Sequence, residues 1–334
     1  MPRTTLADIA AAAGVTVPTV SKVLNGRSDV SAGTRARVLD LLTAAGYERR
    51  RPAESVAPSG LVELVLDGVE GSWATRVLGG VQRAAAEAGS DVVVVSVRDE
   101  RGDGPDWVER VVARGATGAV LALVDPTPAQ RDRLAAAGVQ LVVLDPGVEP
   151  AQGLPSVGTT NWAGGYSAVE HLVSLGHERV AAIGGRADQL NSRARLDGYR
   201  SALAAAGARA RATWVRHSDW TRAGGLAQAR ALLSARERPT AVFACSDRLA
   251  RGVYEAAAER GLRIPDDLSV VGFDDLPEAL WLAPRLTTVR QPVREMAAEA
   301  VRLLLRLTRG EPAHGDRVEL STTLVVRDST APPS

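Results

Sequence analysis

From Leu61 onward, the sequence alternates apolar runs of strand length with alanine-rich segments of helical period, and this alternation constrains the fold most. The runs LVELVLDG, DVVVVSVR, GAVLALV and QLVVLD are separated by segments such as WATRVLGGVQRAAAEAG and PAQRDRLAAAG. Strands that alternate with helices predict a parallel sheet covered on both faces. The pattern starts again with RVAAIGG, TAVFACSD and LSVVGFDD. The sequence therefore predicts an α/β body of two lobes, each a doubly wound parallel sheet, with a ligand cleft between them.

The first fifty residues differ from this body, because they predict three short helices. The first ends at Gly14, the second runs from about Val17 to Asn25 with Thr16 as its N-cap, and the third covers about 31–45. A proline in the first turn of the second helix is tolerated because the amide there has no helical partner. Two short helices joined by a glycine turn form a helix-turn-helix, whose second helix enters the DNA major groove. A three-helix bundle without a nucleic-acid role is the alternative.

Charge is divided unevenly along the chain, although the net charge is only +1. Residues 1–51 carry eight basic and four acidic side chains, whereas the remainder carries 32 basic and 35 acidic ones. A basic module on a slightly acidic body predicts an anionic partner for the module alone. A solvated charged face would give the same composition, so charge alone does not decide between the two.

The compartment is predicted from what the sequence lacks. The single cysteine, Cys245, excludes an internal disulfide and a multi-cysteine zinc site, as in a reducing compartment. The opening MPRTTLADIAAAAG does not fit a signal peptide, because an aspartate interrupts its apolar run. No apolar run approaches the roughly 20 residues that span a bilayer. We expect a cytoplasmic protein with no membrane partner.

An enzyme on an α/β scaffold is the first alternative to a DNA-binding protein. Lys22 is the only lysine, so the body has neither a Walker lysine nor a Schiff-base lysine. The sequence has no G-x-S-x-G nucleophile elbow, and its four histidines lack metal-binding spacing. The glycine pairs in LGG and IGG indicate turns and close packing. We therefore expect no catalytic residue, no metal and no cofactor.

The segment TLADIAAAAGVTVPTVSKVLNGRSDVSAGTRARVLDLLTAAGY resembles the DNA-binding headpiece of the LacI/GalR family of bacterial transcription regulators, and GVTVPTVSKVLNG is its most specific part. The resemblance implies that Val17, Pro18 and Lys22 face the bases of double-stranded DNA. It further implies that a second group of residues contacts the phosphate backbone or fixes the helix: Thr5, Thr16, Thr19, Ser21 and Asn25.

The segment YERRRPAESVAPSG stands where that family has a hinge helix with the pattern Y-x-P-N-x-x-A-R-x-L. The leucine of the hinge wedges into the minor groove and kinks the DNA. Ala53 keeps the family's pattern, whereas Val56 replaces the leucine. Because valine is the shorter side chain, the resemblance implies a hinge with a shallower kink.

The body resembles the periplasmic-binding-protein-like (type I) effector domain of the same family. The segments HLVSLGHERVAAIGG, RLDGYRSAL, PTAVFACSD, IPDDLSVVGFDD and LTTVRQPVREMAAEAVRLLL carry the resemblance. In that fold, the chain crosses between the lobes three times. The expected domains are a headpiece over 1–48, a hinge over 49–60, and an effector and dimerisation domain over 61–334. Its N-lobe is expected at about 61–160 and 290–318, and its C-lobe at about 161–289 and 319–331.

The resemblance also implies a set of effector-binding residues, and one further tryptophan is a candidate beside them. The matched positions are Trp73 in the loop after the first strand, Asp145, Asn161, Arg195, Trp220, Asp247, Asp274 and Gln291, and the added candidate is Trp162. Carboxylates, a forked arginine and a stacking indole suit a sugar with hydroxyls and an apolar face. Other interpretations stay open: Asp247 as the cap of the following helix, and Trp162 and Trp281 as packing residues. Trp107 and Trp214 are predicted to be packing residues.

The resulting expectation is a repressor that binds an approximately palindromic operator as a homodimer and responds to a small-molecule sugar. A sugar-responsive activator, a corepressor-dependent regulator and a stand-alone sugar-binding protein are the alternatives. Pro146 stands where an arginine often follows the acidic residue, which favours a small neutral sugar such as a pentose. The final RDSTAPPS lacks the apolar heptads of a tetramerising tail.

Overall fold

The structure is a computed structural model that describes residues 6–24, 30–44, 60–97, 106–311 and 317–334. The chain separates into two compact units, residues 1–56 and 57–334. We describe each unit by itself. Among the described residues, no helix is long and apolar enough to cross a bilayer.

The first unit contains the predicted helix-turn-helix. Its helices are α1 (Leu6–Ala13), α2 (Val17–Leu24) and α3 (Ala32–Ala44). Gly14 ends α1 with a left-handed φ of 66°, and the Val15 amide donates to the Ala10 carbonyl at 3.0 Å. Ser31 begins α3, because its hydroxyl accepts from the Thr34 amide at 3.3 Å. The buried side chains of this unit are Ile9, Ala10, Ala13, Val20, Val23, Val38 and Leu42.

The first lobe of the second unit is built on a six-stranded parallel sheet with the order β2-β1-β3-β4-β5-β11. Its strands are β1 (Leu61–Leu66), β2 (Asp91–Ser96), β3 (Gly118–Ala122), β4 (Gln140–Leu144), β5 (Ser156–Thr159) and β11 (Arg317–Leu320). Two helices cover one face, α4 (Ser72–Glu87) and α12 (Val293–Thr308). The other face is packed against α5 (Trp107–Ala113) and α6 (Pro128–Ala136).

The second lobe has the sheet order β7-β6-β8-β9-β10-β12. Its strands are β6 (Val180–Gly184), β7 (Val215–His217), β8 (Ala241–Ala244), β9 (Ser269–Asp274), β10 (Thr287–Arg290) and β12 (Thr323–Val325). One face packs against α7 (Asn161–Ser174) and α8 (Leu190–Ala205), and the other against α9 (Arg222–Leu233) and α10 (Asp247–Glu259). A short helix, α11 (Glu278–Trp281), and a 3₁₀ turn over Ala212–Trp214 complete the lobe.

The chain crosses between the lobes three times, after β5, β10 and β11. This confirms the predicted fold class of two doubly wound sheets. One detail differs, because β12 pairs antiparallel with β10. The strand arrives from the first lobe through residues 321–322 and takes the edge position beside β10.

Several interior features follow directly from the sequence. Trp107 and Trp214 are buried, as predicted for packing residues. Gly80 allows α4 and α12 to approach closely, because a Cβ there would overlap the Arg294 carbonyl and the Ala297 methyl. Glu63 is fully buried in β1, and its two carboxylate oxygens accept from Arg114 at 2.7 and 2.8 Å.

Candidate functional site

The outer face of α2 is the candidate DNA-reading surface. Val20 and Val23 turn into the core of the unit, while Pro18 and Lys22, one turn apart, are exposed. Val17 is 42% exposed and is therefore available for apolar contact on the same surface. The first turn of α2 is held by the Thr19 amide, which donates to the Thr16 carbonyl at 2.9 Å, and the two hydroxyls lie 3.0 Å apart.

The structure describes only part of the predicted DNA-binding set. Thr5, Asn25, Ala53 and Val56, together with the expected hinge helix, lie outside the described residues. The Ser21 side chain is also outside the description, although Ser21 belongs to α2. The described part of the surface is therefore the first turn of α2 and the turn that follows it.

Arg195 of α8 is the centre of the candidate effector site. It is only 3% exposed, and its guanidinium donates to Asn161 Oδ1 and to the Cys245 carbonyl, both at 2.7 Å. Its Nη1 lies 3.6 Å from the Asp274 carboxylate, and its Cζ lies 3.8 Å from the centre of the Phe273 ring. Elements from three parts of the lobe therefore converge on one buried cation.

Asp274 ends β9 with a φ of 115°, a backbone conformation that residues other than glycine rarely adopt. Its Oδ1 accepts from Gln291 Nε2 at 2.6 Å. Burial raises the pKa of Asp274 to about 6, while Arg195 and the Gln291 hydrogen bond act in the opposite direction. The ionised carboxylate can only accept from ligand hydroxyls, whereas the protonated carboxyl group can also donate one hydrogen bond.

Asp145 approaches the same cation from the first lobe, at the end of β4. It is buried and also has a left-handed φ, 54°. Burial raises the pKa of Asp145, Arg195 lowers it, and the nearby Asp125 raises it further. The site therefore contains more buried carboxylate than cation, which favours ligands that donate hydrogen bonds.

Trp220 supplies the aromatic surface of the site. Its φ is 65°, and its ring lies directly against Gly185, where a Cβ would overlap the indole. The indole N–H donates to Gln189 Oε1, and Arg195 Cζ lies 5.6 Å from the ring centre. Backbone strain at Asp145, Trp220 and Asp274 together is typical of a functional site.

The Asp247 carboxylate is used inside the second lobe. Its Oδ2 accepts from the Leu276 amide at 2.8 Å, and its Oδ1 accepts from the Thr288 hydroxyl at 2.5 Å. Burial raises the pKa of Asp247 well above its ordinary value. The alternative role as a helix cap is wrong, because Ser246 caps α10 by accepting from the Leu249 amide at 3.1 Å.

The remaining tryptophans occupy three different environments. Trp73 lies in the first turn of α4 and packs partly on the core, so its predicted place in a loop is wrong. Helix α4 begins at Ser72, one residue before Trp73, because Gly71 has a positive φ that turns the chain into the helix. Trp162 is 48% exposed and stacks on Tyr166 with 5.3 Å between ring centres. Trp281 is 75% exposed, which excludes the packing interpretation.

Several contributors to the site are not evident from the sequence pattern. The Cys245 carbonyl, the Phe273 ring and Gln189 contact Arg195 or Trp220 through positions that only the assembled sheet brings together. Gly185 is the exception. The glycine pair in IGG predicted close packing, and the structure confirms it because a Cβ at Gly185 would overlap the Trp220 indole.

The lobes contact each other beside this site. The Leu190 amide of the second lobe donates to the Gly147 carbonyl of the first at 2.6 Å. The Ser72 hydroxyl of α4 donates to Glu278 Oε1 at 2.7 Å. Within the described ranges, no group of three His, Cys, Asp or Glu side chains is arranged to hold a metal ion. The arrangement can therefore bind a polar ligand by hydrogen bonds and stacking.

A helix-turn-helix unit followed by a two-lobed α/β body is the architecture of a DNA-binding transcription regulator. Residues 5–49 match the family described as bacterial regulatory proteins, lacI family, and residues 169–330 match a periplasmic binding protein-like domain. The HTH-type transcriptional regulator reg1 of Streptomyces lividans is 37% identical over 343 residues, covering 98% of this chain and 97% of the relative.

Two solved structures are similar over nearly the whole chain. The transcriptional regulator CelR–cellobiose complex has a TM-score of 0.72 and 32% identity, covering 98% of this chain and 100% of that chain. The lac repressor dimer bound to operator and the anti-inducer ONPF has a TM-score of 0.71 and 29% identity, covering 99% and 100%. The chain belongs to the lacI family of bacterial regulatory proteins. It is a DNA-binding transcriptional regulator and not an enzyme.

Proposed function

We propose that this regulator represses carbohydrate-utilisation genes and that a small sugar, bound at the Arg195 cluster, releases it from its operator. The observation that carries the proposal is the buried Arg195 flanked by Asp274, Asp145 and the indole of Trp220. A fork of donors, two acceptors and one apolar ring face complement the hydroxyls and the carbon face of a sugar ring.

Two similar structures support this proposal. One is a regulator in complex with cellobiose, and the other is a repressor dimer bound to operator and an anti-inducer. By analogy, two copies of this chain would each place one α2 in a major groove, and the operator would be an approximate palindrome. We take a small neutral sugar such as a pentose as the first candidate.

Each predicted residue has a proposed role. Arg195, Asp145, Asp274, Gln291 and Trp220 would contact the sugar, with Trp73, Asn161 and Trp162 at the borders of the site. Asp247 would hold the ends of β9 and β10 in place. The base-reading residues would be Val17, Pro18 and Lys22, supported by Thr5, Thr16, Thr19, Ser21 and Asn25. The hinge over 49–60 would contribute Ala53 and Val56.

The proposed control is a coupling between two binding reactions. Sugar would favour one arrangement of the lobes, and operator would favour another. Because such coupling is reciprocal, operator must weaken sugar binding by the same factor by which sugar weakens operator binding. A ligand that binds both arrangements equally would have no effect.

The test begins by selecting DNA that the full chain binds from a random library, which identifies the operator. Fluorescence anisotropy then measures operator affinity with and without each member of a panel of pentoses, hexoses and disaccharides. At least one sugar is expected to weaken operator binding about 5- to 150-fold. The Trp220→Ala variant should bind operator normally and lose this response. If no sugar in the panel changes operator affinity, induction by a free sugar is wrong.

A further inference from the structure

A groove of about 470 Å³ opens at the junction of the lobes, where the chain leaves β10 for α12. Its walls come from α4 of the first lobe, from Pro277 of the second, and from the crossover over 290–295. The volume suits a small organic ligand. Neither Trp220 nor Arg195 lines the groove, although Gln291 lines it and also donates to Asp274 of the Arg195 cluster.

The groove is strongly cationic. Arg76, Arg290 and Arg294 line it, and Glu295 is the one acidic lining residue. Arg290 is held by Asp275 through its Nε at 2.6 Å. In the part of the chain that the structure describes, the side chains of Arg76 and Arg294 make no hydrogen bond or ion pair. The groove is therefore lined by two arginine side chains whose hydrogen-bond donors have no partner among the described residues.

The first turn of α12 adds backbone donors to these side chains. This 16-residue helix begins at Val293 without a side-chain cap, and Val293, Arg294 and Glu295 all line the groove. The Val293 amide donates to the Gln291 carbonyl at 2.9 Å, so the amides of Arg294 and Glu295 and the helix dipole are what favour an anion at this terminus. Gly80 holds this terminus against α4, because any side chain there would overlap the Arg294 backbone.

Gln291 supplies an acceptor beside these donors. It is 2% exposed, and its Nε2 must face the Asp274 carboxylate, to which it donates at 2.6 Å. Its Oε1 is buried and has no hydrogen-bond partner among the described residues. An unpaired buried acceptor is costly, so this oxygen favours a ligand that brings a hydroxyl group.

The geometry points to a second ligand site in this groove, one that takes a phosphorylated sugar. The phosphate would lie between the side chains of Arg76 and Arg294 and the backbone amides of Arg294 and Glu295, and a sugar hydroxyl would donate to Gln291 Oε1. Arginine suits this role because its fork of donors matches phosphate oxygens. Since the Gln291 amide also holds Asp274, occupancy of the groove would be sensed in the Arg195 cluster. The site does not depend on which sugar binds that cluster.

The test is calorimetric titration of the full chain with glucose 6-phosphate, ribose 5-phosphate, glucose and inorganic phosphate. We expect at least one sugar phosphate to bind with a Kd below about 1 mM, and about tenfold or more tighter than either glucose or phosphate. The double variant Arg76→Gln/Arg294→Gln should lose this binding by about tenfold or more. The matched control Arg83→Gln removes an exposed arginine of the same helix outside the groove and should leave binding unchanged.

Each contrary result overturns the proposal. If neither sugar phosphate binds, the groove is a solvated charged surface. If inorganic phosphate binds as tightly as the sugar phosphates, Gln291 plays no part in recognition. If Trp220→Ala abolishes sugar-phosphate binding while Arg76→Gln/Arg294→Gln keeps it, the ligand occupies the Arg195 cluster instead. Thermal denaturation of every variant shows whether a loss of binding reflects a loss of folding.

Discussion

The guanidinium of Arg195 lies 3.6 Å from the carboxylate of Asp274, and both side chains are almost fully buried. Arg195 also donates to Asn161 and to the Cys245 carbonyl, and Asp274 accepts from Gln291, but these partners are neutral, so within this pair each charge is compensated by the other. Removing one member of such a pair costs more than the pair itself contributes, because a buried charge is left uncompensated. This relationship makes the candidate effector site part of the stability of the second lobe.

We expect Arg195→Met to lower the free energy of unfolding by about 3–5 kcal/mol at neutral pH, since Asp274 and Asp145 would keep buried charge without a cation. Arg200→Met is the matched control. Arg200 lies on the same helix, and its ion pair with Asp197 is exposed, so its loss should cost less than about 1 kcal/mol. Urea denaturation measures both, and equal losses would contradict the assigned role of Arg195.

Stability should depend on pH through Asp274. Its pKa is raised from 3.8 to about 6, so the folded protein binds this proton more tightly than the unfolded chain does. The contribution of this group is therefore complete below pH 3.8 and is lost as the pH rises through about 6. We expect Asp274→Asn to flatten the decline in unfolding free energy over this range, and an unchanged profile would exclude Asp274 as its source.

Gly185 should control sugar affinity through Trp220. Because a Cβ at Gly185 would overlap the indole, Gly185→Ala must displace the ring and remove the stacking surface. The control Gly158→Ala adds a methyl group where the structure has no atom within 4 Å. We expect the sugar found in the panel to bind Gly185→Ala about tenfold more weakly and Gly158→Ala normally. Equal affinities in calorimetry would show that the ring is not a sugar contact.

The Glu63–Arg114 pair offers a test within the first lobe alone. Arg114→Met should lower the free energy of unfolding by about 2–3 kcal/mol, less than for a fully buried pair because 35% of the Arg114 side chain meets solvent. The double variant Glu63→Leu/Arg114→Met should recover most of this loss, since no charge remains to be desolvated. A double variant as unstable as the single one would argue that packing, and not charge, is lost.

Lys22 should read one base pair of each half-site. Lys22→Ala is expected to relax discrimination at that position by about 1–3 kcal/mol, as for a side chain that contacts guanine O6 and N7. Arg37→Ala removes the same charge from an exposed position of α3 and should leave base preference unchanged. Anisotropy against a set of singly substituted operators measures this effect. A uniform loss across all sequences would make Lys22 a phosphate contact.

The sequence predicted the elements well because their signals are local. Gly14 and the Thr16–Val17 helix start depend on neighbouring residues only, and the helix-strand alternation repeats often enough to define both sheets. The acidic residues were harder to assign. Asp145, Asp247 and Asp274 all end or follow a strand. Only the hydrogen bonds from Leu276 and Thr288 show that both carboxylate oxygens of Asp247 have partners inside the second lobe. Those partners lie 29 and 41 residues away in sequence, beyond any local pattern.

The environment of each tryptophan was similarly unpredictable. Trp73 and Trp162 both occupy first-turn positions of helices, yet Trp73 packs partly on the core of the first lobe whereas Trp162 is 48% exposed and stacks on Tyr166. The Trp220 ring lies against Gly185, which is 35 positions earlier in the sequence and is brought near by the pairing of β6 with β7. Residues that act across the sheet thus required the structure.

The exposure of Lys22 on α2 has a practical consequence for chemistry on this protein. Every other cationic side chain is an arginine, so reagents that acylate primary amines can modify this helix and an α-amino group, and no other part of the chain. Bound operator should shield that ammonium from acylation. A single mass-spectrometric measurement of Lys22 labelling would then report operator occupancy without an engineered tag.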